Sequence, residues 1–154
     1  MARTIRYQGA IVRDHHVLLI KHTEHRTGRS FWVIPGGGIE AGETEAACVA
    51  REMHEETCLR VHVHVLLLDV PDSSGGAYHR RTTYLCRVRA GDARPGYEPE
   101  ADAATVYAIT DVAWFDLRDP TRWGALLRND PISYPIIQQV RHARGYTRNA
   151  TPAA

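Results

Sequence analysis

A chain of 154 residues, 44% hydrophobic and 24% charged, has the size and composition of one folded domain with its own core. With 19 basic and 18 acidic side chains, its net charge of +1 excludes the electrostatic footprint of a general nucleic-acid binder. No apolar run approaches the roughly 20 residues that cross a bilayer, so no membrane partner is expected. Met1 to Tyr7 lacks the apolar region of a secretory leader. Cys48, Cys58 and Cys86 cannot all pair and lack zinc-like spacing, so the expectation is a cytoplasmic protein with reduced thiols.

In chain order, Thr4 to Val12 alternates, Asp14-His15-His16 turns, and Val17 to Ile20 is apolar, which predicts a hairpin. A polar loop, Thr23 to Ser30, leads to a short strand, Phe31 to Ile34, halted by Pro35-Gly36-Gly37-Gly38. Glu43 to Thr57 has no Gly or Pro and places Ala46, Val49, Ala50 and Met53 at helical spacing, which predicts a helix. Two strands follow, Arg60 to Val70 and Tyr78 to Arg89, then a polar loop from Gly91 to Ala103 long enough to cover a site. Ala108 to Leu117 predicts a further strand and Ser133 to Ala143 a closing helix. Residues 1–146 are expected to form a single domain and 147–154 a flexible tail. Strands, a central helix, more strands and a terminal helix favour an α+β sandwich over a regular βαβ wind.

The central helix carries the chemistry. At about 100° per residue, Glu52, Glu55 and Glu56 fall within about 100° of arc, beside the apolar stripe. Like charges at i, i+4 destabilise a helix by roughly 0.2–0.5 kcal/mol per pair, and a hard divalent cation would relieve Glu52 and Glu56. Arg51 stands beside them and can hold Glu55 or Glu43 bidentately. Gly36 to Gly38, without Cβ atoms, let backbone carbonyls approach a metal or a phosphate. An isolated Glu-x-x-Glu-Glu would more often be an ordinary solvated face. The spacing over 23 consecutive residues, with Gly37, Glu43, Arg51, Glu52, Met53, Glu55, Glu56 and Leu59 in place, resembles the Nudix box. The departure is Cys58, where the family has a glycine suited to a left-handed helix cap.

The resemblance implies a Nudix-like α/β/α sandwich with a mixed central sheet. It also implies attack of metal-activated water on a nucleoside diphosphate linked to another moiety: a nucleotide sugar, ADP-ribose or a nucleoside triphosphate. Mg²⁺ is the implied cofactor, with Mn²⁺ as a substitute. Glu52, Glu55, Glu56 and the Gly37 carbonyl are the implied metal ligands, Glu55 doubling as a candidate general base. Arg51 and Glu43 orient that set. The family often recruits another acid from a loop; Glu98, Glu100 and Asp102 are candidates, Glu100 preferred. Arg26, Arg29, Arg80 and Arg81 are candidate phosphate contacts. His22 with His25, and His62 with His64, lack a third ligand and are expected to be solvated. Trp32, Trp114 and Trp123 could stack on a base, although core packing is the commoner use. A monomer and a homodimer are both open. The alternative is a Nudix-like domain that senses a nucleotide without hydrolysing it, which would be expected to lose these acids.

Overall fold

In a computed structural model, which describes residues 4–72, 75–98 and 101–146, β1 (Ile5–Arg13) and β2 (His16–Glu24) form the expected hairpin. Asp14 and His15 at its turn have φ of 49° and 65°, the left-handed pair whose twist suits a two-residue hairpin. β3 (Ser30–Val33), a two-residue β4 (Gly36–Gly37), α1 (Glu45–Thr57), β5 (Arg60–Pro71) and β6 (Arg80–Ala90) follow. A short α2 (Ala101–Ala104), β7 (Tyr107–Asp116), α3 (Gly124–Arg128) and α4 (Ser133–Ala143) complete the order. The tail from 147, expected to be flexible, lies outside the described residues.

The sheet is mixed: β1 and β6 run parallel, while β2 pairs antiparallel with β3 and β7, and β5 with β6. β1 and β2 share Cα pairs only at Val12↔Val17 and Arg13↔His16, beside their turn. Beyond these each strand takes other neighbours, and β4 pairs with β1 at Tyr7 and Gln8. The glycine run is therefore more than the turn expected from sequence. A Cβ on Gly36 would stand 2.4 Å from the Tyr7 carbonyl oxygen, so only glycine fits this approach.

The continuous apolar run of β2 is explained by burial on both faces. Val17 and Leu19 pack with Trp32, Phe115, Leu127 and Ile137 beneath α3 and α4. Leu18 packs with Tyr7, Ile11, Val49 and Met53 beneath α1. Helices thus cover both sides, giving the expected three-layer α+β sandwich. Trp32 and Trp123 belong to the first core, so neither is available to stack on a base. Sequence periodicity misses α3 because five residues cannot complete a helical repeat.

Thr44 caps α1 by accepting from the Ala47 N–H at 3.1 Å, which leaves Glu43 just outside the helix. At the other end Cys58 adopts φ 62° and donates its N–H to the His54 carbonyl at 3.0 Å. The chain from 91 to 98 straps this end. Arg94, Gly96 and Tyr97 donate to the carbonyls of Thr57, Glu56 and Glu55 at 3.0, 2.9 and 3.0 Å, satisfying acceptors that a helix end leaves open. The strap passes so closely that a Cβ on Gly96 would lie 1.8 Å from the Glu55 oxygen.

Cys58→Gly should raise stability by about 1 kcal/mol, the relief of a side chain in the left-handed region less the added freedom of glycine, measured by urea unfolding. Gly96→Ala should lower stability by about 1–3 kcal/mol, as for other overpacked sites, because the strap must lift from α1. An unchanged urea midpoint would show that the strap does not depend on that glycine.

Candidate active site

Helix α1 projects Arg51 into the middle of the acids. Its Nε and Nη2 donate to the two Glu43 oxygens at 2.7 and 2.9 Å, a bidentate pair. Its Nη1 donates to Glu52 Oε1 at 3.0 Å and Glu55 Oε2 at 3.1 Å, and Nη2 also reaches the Gly38 carbonyl at 3.2 Å. One guanidinium therefore ties the glycine turn, the residue before α1 and two turns of the helix together. Hydrogen bonding to Glu43 holds the Arg51 pKa above its ordinary value. The sequence offered Glu43 or Glu55 as partners; the structure brings in both, and Glu52 as well.

Glu52 and Glu56, one turn apart, are both 0% exposed. Gly36 donates its N–H to Glu56 Oε1 at 2.8 Å. The other oxygens, Glu52 Oε2 and Glu56 Oε2, are buried without a hydrogen-bond partner among the described residues, as is Nε2 of His22. Burial is the largest cause that pushes both carboxyls well above the ordinary carboxylate range, and for Glu52 the charge of Glu56 adds to it. Arg51 offsets part of the charge of this pair through Glu52 Oε1, and the remaining unpaired carboxylate oxygens are the donor chemistry that suits a hard divalent cation. The residues present thus fit such an ion.

His22 corrects the sequence reading. It is buried on β2, with Nε2 3.5 Å from Glu98 Oε2 and 3.9 Å from Glu56 Oε2, and the three side chains could together hold a metal. Burial pushes its pKa down, so the ring stays neutral and able to act as a ligand. Its face stacks on Tyr107 at 5.4 Å. Alternation along β2 would have turned His22 inward with Ile20, a signal outweighed by the polar residues that follow it. Glu98 is the loop acid found at the cluster. Glu100, preferred from sequence, lies outside the described residues, and Asp102 sits exposed on α2. Glu98 was within reach of sequence reasoning, because Gly96-Tyr97 is where the loop can pass the helix end.

A cavity of about 270 Å³ adjoins the cluster, and its lining includes His22, Gly36, Glu98, Arg6, Asp72 and Arg81. Among the four arginines considered from sequence, Arg81 lines it. Arg80, its neighbour on the opposite face of β6, pairs with Asp69 at 2.5 Å. Arg29 is 66% exposed beside Glu24, and Arg26 is exposed in the same loop. Arg6, lining the cavity from β1, was not singled out from sequence.

Comparison with known proteins agrees with this geometry. A "Putative nudix hydrolase 1" of Caenorhabditis elegans is 36% identical over 99 residues, 64% of this chain and 26% of that protein. An "NAD-capped RNA hydrolase NudC" of Vibrio parahaemolyticus is 30% identical over 112 residues, 71% of this chain and 37% of that protein. The chain thus spans well under half the length of these relatives. A MutT NUDIX hydrolase structure from Burkholderia pseudomallei superposes with a TM-score of 0.61 at 27% identity, covering 89% of this chain and 95% of that one. A UDP-X diphosphatase superposes at 0.66 with 18% identity over 94% of this chain and 64% of that one, a likeness of fold. The family model of the NUDIX domain matches residues 4–140, and with the Arg51-centred acids in place the chain belongs to the Nudix family.

Proposed function

We propose that this chain is a pyrophosphohydrolase that depends on a divalent cation, Mg²⁺ with Mn²⁺ as a substitute. It would cleave the phosphoanhydride of a nucleoside diphosphate joined to another moiety. The observation that carries this reading is the pair of buried carboxylate oxygens, Glu52 Oε2 and Glu56 Oε2, without a hydrogen-bond partner among the described residues. Glu52 and Glu56 would hold the cation, with the Gly37 carbonyl and Glu55 as further ligands. Bound there, it would lower the pKa of water and neutralise charge developing on phosphoryl oxygens. Glu98, beside Glu56 at the cavity, is the acid we assign to accept the proton of the attacking water, in the place sequence reasoning gave to Glu100. Arg51 orients Glu52 and Glu55 without touching substrate, and Glu43 in turn fixes Arg51. The relatives named for NAD-capped RNA and for UDP-X hydrolysis support a nucleotide-derived substrate.

Glu52→Gln and Glu56→Gln should each reduce Mg²⁺-dependent release of mononucleotide or phosphate by at least about 100-fold, scored over a panel of diphosphate compounds. Tight nucleotide binding without turnover by the wild type would instead favour a sensor. Independently of activity, Mg²⁺ should raise the unfolding temperature of the wild type measured against EDTA, as any ligand selective for the folded state must. The increase should vanish in both variants. An equal increase in wild type and variants would place the ion elsewhere.

A further inference from the structure

His22 is held rigidly but not satisfied. Its ring is 8% exposed, stacked on Tyr107 at 5.4 Å and edge to face with Phe31 at 5.6 Å, so β3 and β7 fix its plane. Nε2 lies 3.5 Å from Glu98 Oε2 and 3.9 Å from Glu56 Oε2, and it has no hydrogen-bond partner among the described residues. A histidine buried for packing alone would find a partner for that nitrogen. Both carboxylates are buried as well, Glu56 fully and Glu98 with 7% of its side chain exposed. Glu56 Oε2 likewise has no hydrogen-bond partner among the described residues. Arg6 acts on Glu56 through space, while its Nε donates to Gln8 Oε1 at 3.3 Å and its Nη2 to the Ile34 carbonyl at 2.7 Å.

The three ligand atoms, one nitrogen and two oxygens, lie within 4.8 Å of one another. A tetrahedral ion with bonds of about 2.0–2.2 Å sets its ligands roughly 3.3–3.6 Å apart, whereas octahedral Mg²⁺ sets adjacent ones roughly 3 Å apart. The spacing around Nε2 suits the first. Ligand type agrees, because imidazole suits Zn²⁺ and related transition ions while Mg²⁺ takes oxygen. We propose that His22, Glu56 and Glu98 form a second cation site, selective for an ion of the Zn²⁺ class over Mg²⁺, and that its occupation arrests hydrolysis. Glu56 is common to this set and to the Mg²⁺ ligands assigned above. Arrest follows from the ligands taken: Glu98 cannot accept the proton of water through an oxygen that binds a cation, and Glu56 is drawn away from Mg²⁺. The arrest rests on the hydrolase reading; the binding does not.

Binding of Zn²⁺ alone is measured by calorimetry with Mg²⁺ in excess, and Co²⁺ is added separately for its visible absorption. The wild type should bind one Zn²⁺ tightly, and Co²⁺ should show the intense bands of a tetrahedral centre. His22→Phe, which keeps a ring against Tyr107, should weaken Zn²⁺ at least about 10-fold and abolish the bands. The exposed pair His62 and His64, with ring centroids 6.0 Å apart, is the control: replacing both with alanine should change neither. If His22→Phe does not fold, His22→Gln should show the same loss. Each protein's turnover in Mg²⁺ is then titrated with Zn²⁺, and the His22 variant should need at least about 10-fold more for half inhibition. Zn²⁺ binding that survives loss of His22, or that fails in the His62 and His64 control, overturns the site. Zn²⁺ bound through His22 without slowing turnover overturns the arrest. Zn²⁺ bound through His22 in a protein that hydrolyses nothing in Mg²⁺ would sink the hydrolase reading, and the arrest with it, but leave the site standing.

Discussion

Everything at the cluster depends on one guanidinium holding several carboxylates at once. Glu52, Glu55 and Glu43 converge on Arg51, which also reaches the Gly38 carbonyl. Without that charge, like-charged residues on adjacent turns would repel, and buried Glu52 would lose the contact that fixes its rotamer. The two buried acids each spend one oxygen on the scaffold: Glu52 Oε1 goes to Arg51 and Glu56 Oε1 to the Gly36 N–H. The second oxygen of each stays unsatisfied. A network that stabilised only the fold would satisfy both, so the arrangement reads as preparation for something that arrives later.

The fold supplies that arrangement by letting a hairpin come apart. β1 and β2 pair beside their turn and then diverge, and the glycine segment pairs with β1 so that its N–H meets Glu56. From the other side the strap of residues 91–98 caps the end of α1 and delivers Glu98 beside His22. Two segments far apart in sequence, each admitted by a glycine without room for a Cβ, therefore close on one helix end. The same divergence leaves space for the cavity, whose walls come from β1, β3, β6 and α4.

The sandwich and the acid cluster were legible in the sequence because both depend on periodicity within one element. The carboxylates of α1 lie three and four residues apart, so the helix alone predicts their shared face. The sequence left open whether Cys58 keeps the left-handed cap that the family's glycine would take or whether the turn differs, and φ 62° shows that it keeps it. His22, Arg6 and Arg81 were harder. Their roles come from partners across strands, and strand register is not written locally: Arg81 and Arg80 are adjacent in sequence yet point to opposite faces, one into a cavity and one to Asp69. Glu98 was one of three loop acids the sequence offered; which of them meets the cluster is set by where the strap crosses the helix end, a long-range fact, and the preferred Glu100 lies outside the described residues.

The electrostatic pattern also explains why an unfavourable arrangement is retained. Each buried oxygen or nitrogen without a partner costs roughly 1–3 kcal/mol, and among the described residues such atoms stand at Glu52, Glu56 and His22 around the acid cluster and at Arg81 on β6. That sum is a large fraction of a small domain's net stability of about 5–15 kcal/mol. A divalent cation held by the two carboxylates would satisfy the acid cluster, converting part of that cost into binding energy. The strain then has a direction: it penalises the acid cluster until such an ion neutralises it.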